Sequence, residues 1–341
     1  MTESTDRFLI VRLTSLGDLV HTIPAVAALR ASFPAATIDW VVDERFAPLV
    51  EMVTCIKRTI PLGRSIPDVL GCVGRLRRAN YSCVLDLQGT YRSAVLGWLS
   101  GVRRRIGRAR EATRERGAEL FYTDRVVPTG RHIVDMTVEL AIRAGARPQP
   151  EPQFPLRVPE NAMRATREKL ARDGITGDYV VISPGGGWKS KCWPPERFGV
   201  LAAELHRRDG LRSVVNIAPG EEELAAGVVR TAGAPAPPVI SVAIPDLAAL
   251  LTQARLVVAG DTGPLHLAAA LGTRVVGLFG ATDAERNGPL PRGMVLQNVS
   301  GPPPEYIRGD YVRLNSYSAA MLSLSVEQAL AAVEQEINIT A

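Results

Sequence analysis

Short apolar runs rich in β-branched side chains recur along the chain. In the first half they read FLIVRL (8–13), TIDWVV (37–42), RTIPL (58–62) and CVLDLQ (83–88). The second half gives YVVISPGGG (179–187), SVVNIAPG (213–220), PVISV (238–242), LVVAG (256–260) and RVVGLFG (274–280). Stretches with apolar residues at helical spacing separate them, among them VHTIPAVAALRASF (20–33), PERFGVLAAELHRR (195–208) and LAALLTQA (247–254). Strands that are apolar throughout, alternating with helices, predict an α/β fold of parallel sheets covered on both faces. ARPQPEPQFPLRVPE (146–160) is too Pro-rich and aperiodic to be an element and marks a seam. Two Rossmann-like domains are therefore expected, 1–155 and 156–341. SVEQALAAVEQEI, from residue 325, predicts a closing amphipathic helix over about 325–338, with the option of packing back on the first domain.

Size and composition fit this organisation. At 341 residues and 46% hydrophobic, the chain can bury two ordinary cores. A net charge of +5 favours an anionic partner, whether nucleic acid, a phospholipid surface or a phosphorylated substrate. Aromatic residues are only 5% and do not interleave with the basic ones, which argues against nucleic acid. Cys55, Cys72, Cys83 and Cys192 lack CxxC spacing and read as reduced thiols of a cytosolic protein. The polar start resembles no leader, and no segment approaches the roughly 18 apolar residues of a membrane span.

VVAGDTGPLH (257–266) contains Asp-Thr-Gly after an apolar run, the signature of an aspartic protease. Those enzymes are β-rich and take one catalytic Asp from each of two similar lobes. Here the tripeptide occurs once, in an α/β half, and Pro264 begins the helical run LHLAAALG. Pro suits a first helical turn and Asp, Thr or Gly its cap. The segment is strand, turn, helix, and such a turn at the carboxyl edge of a parallel sheet is a natural anion site. Asp261 as a mere helix cap above a packed His266 is the plainer alternative.

Three more loops follow strands in the same way. TSLGDLVH (14–21) offers Gly17 for close backbone approach and Asp18 at a helix start. SPGGGWKSKCWPPERF (183–198) brings three glycines, two of the chain's four lysines, and Pro at a helix start. IAPGEEE (217–223) presents carboxylates. Each has a bland reading as turn, cap or solvated charge; four together are harder to dismiss.

With SLGDLVHTIPAVAALRASFP, DWVVDERFAPLVE, VLDLQGTYRSA, PGGGWKSKCWPPERF and VVAGDTGPLHLAAALGTRVVGLFGATD, the chain resembles the ADP-heptose:lipopolysaccharide heptosyltransferases of glycosyltransferase family 9. It is most similar to their heptosyltransferase I branch, and the likeness runs from residue 8 to about 284. The resemblance implies a GT-B fold, two Rossmann-like domains whose parallel sheets face a central cleft, the first binding acceptor and the second nucleotide sugar. It implies inverting transfer of heptose from ADP-heptose to a Kdo residue of the lipopolysaccharide inner core, without metal or other cofactor. The chain contains no Asp-x-Asp, and its histidines (21, 132, 206, 266) are scattered.

Site roles follow from the same likeness. Asp18 matches the general base and Lys191 the cation that meets the leaving ADP, with Lys189 as a nearby substitute. Asp261, Thr262 and Gly263 match the turn that holds diphosphate and sugar hydroxyls, with His266 one helical turn on. Glu221, or Glu222 beside it, matches the ribose ligand. Where family members often carry hydroxyl or charged side chains, this chain has Gly185, Gly186 and Gly187, so phosphate contact there falls to backbone N–H groups. Ser15, Gly17, Gln88, Arg92 and Arg105 are the expected acceptor contacts.

The implied acceptor, Kdo–lipid A, is anionic and membrane-embedded. RRRIGRAREATRERG (103–117), with seven arginines, and Arg75, Arg77 and Arg78 offer planar donors for carboxylate, phosphate and an anionic leaflet. A solvated helix surface is the bland reading of any one of them. The expectation is a cytoplasmic enzyme, peripheral on the inner face of the inner membrane. Transfer of another envelope sugar, a nucleotide-sugar epimerase on the same fold, and a non-catalytic glycan-binding module are the alternatives.

Overall fold

The computed structural model describes residues 6–291, 293–297 and 315–338. Residues 1–5, part of the polar start on which the absence of a leader was argued, lie outside them. The chain divides into two compact units, Met1–Arg157 and Val158–Ala341, and the division falls inside the Pro-rich seam.

In the first unit, β1 (Arg7–Val11), β2 (Thr37–Asp43), β3 (Arg58–Leu62), β4 (Cys83–Asp86), β5 (Arg104–Arg108) and β6 (Asp124–Val126) form one sheet. Its order is β3-β2-β1-β4-β5-β6, and every pairing is parallel. In the second unit, β7 (Tyr179–Ser183), β8 (Arg212–Asn216), β9 (Val239–Ile240), β10 (Leu256–Gly260), β11 (Val275–Phe279) and β12 (Met294–Gln297) pair in the order β12-β11-β10-β7-β8-β9, again all parallel.

Three strands differ from the reading of the sequence. The basic stretch 103–117, weighed above as a helix surface, is β5 followed by a loop. Ile106 and Gly107 are buried there, while the Arg104 guanidinium reaches Asp124 at 3.0 Å. Arginine can lie along an apolar surface and keep its head wet, so RRIGR pairs as a strand without reading as one. β6 and β12 are edge strands and too short to stand out.

The second unit's core explains the closing segment. Val180, Ile182, Val258, Val276 and Leu278 meet Phe198, Leu201 and Leu205 from the helix Pro195–Asp209, with Trp193 edge-on to Phe198 at 4.9 Å. The helix Val326–Asn338 adds Ala329, Leu330, Ala332 and Val333 to that core, so it seals the second unit. Among the described residues, no helix is long and apolar enough to cross a membrane.

Strand order dictates where a ligand can sit. Connections leave β1 and its neighbour β4 toward opposite sides of the first sheet, and β10 and β7 do the same in the second. A crevice opens at the carboxyl ends of such a pair of strands. The loops there are 12–15 and 87–90 in the first unit, and 261–262 and 184–194 in the second. These loops contain or adjoin most of the candidate residues.

Candidate active site

The first unit builds its site around one carboxylate. Asp18 is the third residue of the helix Leu16–Val20, whose cap is Ser15. The Asp18 carboxylate accepts from the backbone N–H of Ser15 at 3.4 Å and from its hydroxyl at 3.3 Å. Arg12, the residue after β1, reaches Asp18 Oδ1 at 2.8 Å, and Arg114 reaches Oδ2 at 3.4 Å. Arg12 is buried and also donates to the carbonyl of Leu87; Arg114 is 55% exposed. Burial pushes the Asp18 carboxyl up, yet the guanidiniums of Arg12 and then Arg114 overcome it. The group is held well below the usual carboxylate range and stays ionised at neutral pH.

The loop after β4 supports this arrangement. Gln88 Oε1 accepts from Leu13 N at 2.6 Å and Thr14 N at 3.2 Å, and its amide donates to Thr14 Oγ1 at 3.1 Å. It therefore fixes the segment that leads to Asp18. Buried Asp86 accepts from the backbone N–H groups of Gln88 and Gly89 and from the Tyr122 hydroxyl. Gly89 turns with φ +75°, and a Cβ there would meet the Thr113 hydroxyl at 3.1 Å. Gly89 O accepts from Thr113 and Glu115, so the loop carrying Arg114 docks on this turn.

Arg92 belongs to a neighbouring cluster. Asp43, buried at the end of β2, has Arg45 at 2.8 Å, Arg64 at 3.8 Å and Arg92 at 4.0 Å. All three arginines are more than two-fifths exposed, which leaves donors for an anion. Arg105 is placed differently. Its guanidinium donates to the carbonyls of Phe121, Val102 and Arg103, and it lies in register with Val84 and hence Leu9, two residues before β1 ends.

The second unit holds a buried polar triad. Lys191 Nζ lies 2.7 Å from Asp261 Oδ2, and His266 Nε2 lies 2.9 Å from Asp261 Oδ1. The three side chains are 12%, 9% and 3% exposed, respectively for Lys191, Asp261 and His266. Asp261 is driven far below the normal carboxylate range: burial alone would raise it, but the hydrogen bond from His266 and the Lys191 charge prevail. Lys191 also sits 4.3 Å from the ring centroid of Trp188, a cation–π contact. Lys189, its proposed substitute, sits instead over Tyr317 at 5.0 Å. Thr262 caps the helix Gly263–Ala270 by backbone position, while its hydroxyl donates to Gly260 O at 3.2 Å.

Glu221 spans two loops. Its carboxylate accepts from Ala218 N at 2.8 Å, and the backbone N–H of Gly186 also favours its charged form. Burial raises its proton affinity, and those two N–H groups work against the rise. A Cβ on Gly185 would fall 2.1 Å from Glu221 Oε1, so the glycine is what lets the carboxylate approach. Gly186, one of the glycines expected to present an N–H to phosphate, therefore lies beside a carboxylate. Glu222 stands exposed, accepting from Gly220 N at 3.1 Å. Among the described residues, no three His, Cys, Asp or Glu side chains are grouped to hold a metal ion.

Comparison with known proteins decides the family. Residues 71–302 match the model of glycosyltransferase family 9 (heptosyltransferase). Lipopolysaccharide heptosyltransferase 1 of Pseudomonas aeruginosa is 32% identical over 306 residues, which cover 85% of this chain and 82% of that protein. The chain belongs to glycosyltransferase family 9. The Escherichia coli lipopolysaccharide heptosyltransferase 1 is 29% identical over 81% of this glycosyltransferase and 88% of its own length. Among solved structures, E. coli ADP-heptose lps heptosyltransferase II superposes with a TM-score of 0.81 over 98% of this chain and 99% of that one, at 19% identity. E. coli heptosyltransferase WaaC with ADP-2-deoxy-2-fluoro heptose gives 0.72 at 27% identity, over 98% and 100%. The fold is GT-B.

Two members of the candidate site escape a reading by loops. Arg12 is the penultimate residue of FLIVRL, and a charge inside an otherwise apolar run was the signal for it. Arg114 lies 96 residues from Asp18, and nothing local distinguishes it from the six other arginines of its stretch.

Proposed function

We propose that the enzyme is an inverting, metal-independent transferase that moves heptose from ADP-heptose to a Kdo residue of the lipopolysaccharide inner core. The observation that carries this reading is Asp18, kept ionised by Arg12 and Arg114 at the carboxyl edge of the first sheet. Asp18 accepts the acceptor hydroxyl's proton as that oxygen attacks the anomeric carbon from the face opposite the departing phosphate. The bond from the anomeric carbon to the phosphate oxygen breaks, and ADP leaves with its electron pair. Lys191, aimed by Asp261, meets the charge that develops on that oxygen. Backbone N–H groups at Gly263 add about half a positive charge. Asp261 and His266 face the sugar hydroxyls, and Glu221 the ribose.

An ordinary carboxylate so strongly paired is a weak base. Arg114 resolves this in the proposal: exposed and 3.4 Å away, it is available to an incoming sugar carboxylate. Drawing it off Asp18 raises the proton affinity of Asp18 when the acceptor is in place. Arg92, with Arg45 and Arg64 around Asp43, supplies further acceptor contacts. Exposed Arg103, Arg110 and Arg116 suit an anionic membrane surface, and the enzyme would work peripherally on the cytoplasmic face of the inner membrane.

The test is incubation with ADP-heptose and Kdo–lipid A, following ADP release. Release should need both substrates, survive EDTA and fall sharply with other nucleotide sugars. Turnover of ADP-heptose without acceptor would favour an epimerase, and loss with EDTA reversed by magnesium would end the metal-free mechanism.

A further inference from the structure

The amino edge of the first sheet, the edge away from Asp18, carries its own cluster of positive charge. Arg7 opens β1, Arg58 opens β3, and Arg75 and Arg78 end the helix Ile66–Arg78. With Ala79 and Asn80 they line a single open pocket of about 510 Å³. A helix C-terminus attracts basic residues through its dipole, which accounts for Arg75 and Arg78. It does not account for two more guanidiniums brought to the same pocket by separate strands.

Existing partners absorb little of this charge. Arg58 pairs at 2.7 Å with Asp39, whose buried Oδ2 also accepts from the Tyr81 hydroxyl at 2.7 Å. Arg7 lies over the Tyr81 ring at 5.9 Å, and its Nε is buried with no acceptor among the described residues. A buried donor left without a partner is costly, so the group is suited to gain one. Asp6 and Lys57, the residues before Arg7 and Arg58, offset each other. Four guanidiniums against the one carboxylate of Asp39 leave the pocket at +3.

We propose that this pocket binds a phosphorylated anion carrying two or more negative charges, either a small phosphate ester or the headgroup of an anionic lipid. Planar guanidiniums converging from four chain positions match phosphate oxygens, which accept paired N–H donors. The pocket has room for the group that bears the phosphate. It is independent of the acceptor reading, since Asp18 and its arginines stand past the opposite end of the strands.

Hydrogen–deuterium exchange of the peptide spanning residues 66–82 reads this pocket separately from the nucleotide site. Inorganic pyrophosphate, at matched ionic strength, should slow exchange there in the wild-type enzyme and in an R167Q/R230Q control, which removes equal charge from exposed positions of the second unit. In R75Q/R78Q, half-saturation should require roughly tenfold or more pyrophosphate, because two charge-assisted contacts are lost. The same protection by cardiolipin vesicles, whose headgroup carries two phosphates, and not by phosphatidylcholine vesicles, would identify a lipid headgroup. Protection by pyrophosphate alone would identify a soluble ester. No protection in the wild type, or equal protection in R75Q/R78Q, would overturn the proposal.

Discussion

At the scale of single residues, Asp261 and Lys191 have to be understood as one unit. Each is nearly buried, and the 2.7 Å contact between them supplies a charge partner that water cannot. Removing one partner of such a pair usually costs about 3–5 kcal/mol, because the other stays buried and charged. Lys191→Ala should therefore lose stability as well as kcat, which a purely catalytic lysine would not. The pair should give itself away by pH. Asp261 titrates far below its unfolded range, so its contribution is present at neutral pH and fades as pH falls through about 4. The gap in melting temperature between wild type and Lys191→Ala should narrow in acid. K191M/D261N, which leaves no lone charge, should recover much of the stability at neutral pH and none of the activity. A double variant no more stable than Lys191→Ala would show that the pair does not act as a unit.

At the scale of elements, the sequence disclosed what repeats and hid what is held together from afar. Buried strands such as TIDWVV and LVVAG are apolar along their whole length, because helices cover both faces, and that property is visible locally. The turn 261–263 was legible for a similar reason: Pro264 and the run after it announce a helix start. RRIGR was not, since arginine at a strand position looks like solvent-facing charge until its stem is seen to pack. The glycine run was half legible. The run is expected to give a ligand backbone access, and in the structure the group that Gly185 lets approach is Glu221, from a different loop. A methyl on Gly185 would displace the end of that flexible side chain, whereas one on Gly187 meets nothing within 4 Å. Gly185→Ala should thus weaken ADP binding by roughly tenfold, the loss of one good hydrogen bond to a charged group, at little cost in stability. Gly187→Ala should bind ADP like the wild type, and equal binding by both variants would detach Glu221 from the nucleotide.

At the scale of the whole molecule, the proposed transfer divides labour between two units of parallel sheet. Each has its charged site where neighbouring strands send their connections to opposite sides. The first holds an ionised carboxylate between two guanidiniums; the second holds a lysine aimed by a carboxylate. If the first unit supplies the base and the second binds the donor, chemistry and donor affinity must be separable by mutation. Asp18→Asn tests this most directly, since it removes the charge and keeps the shape that Ser15 bonds. Transfer from ADP-heptose to Kdo–lipid A and ADP affinity should be measured on the same preparation. The account predicts a fall in kcat of about 10²- to 10⁴-fold with ADP affinity nearly unchanged. Retention of more than about a tenth of wild-type turnover, or loss of ADP binding together with activity, would contradict it.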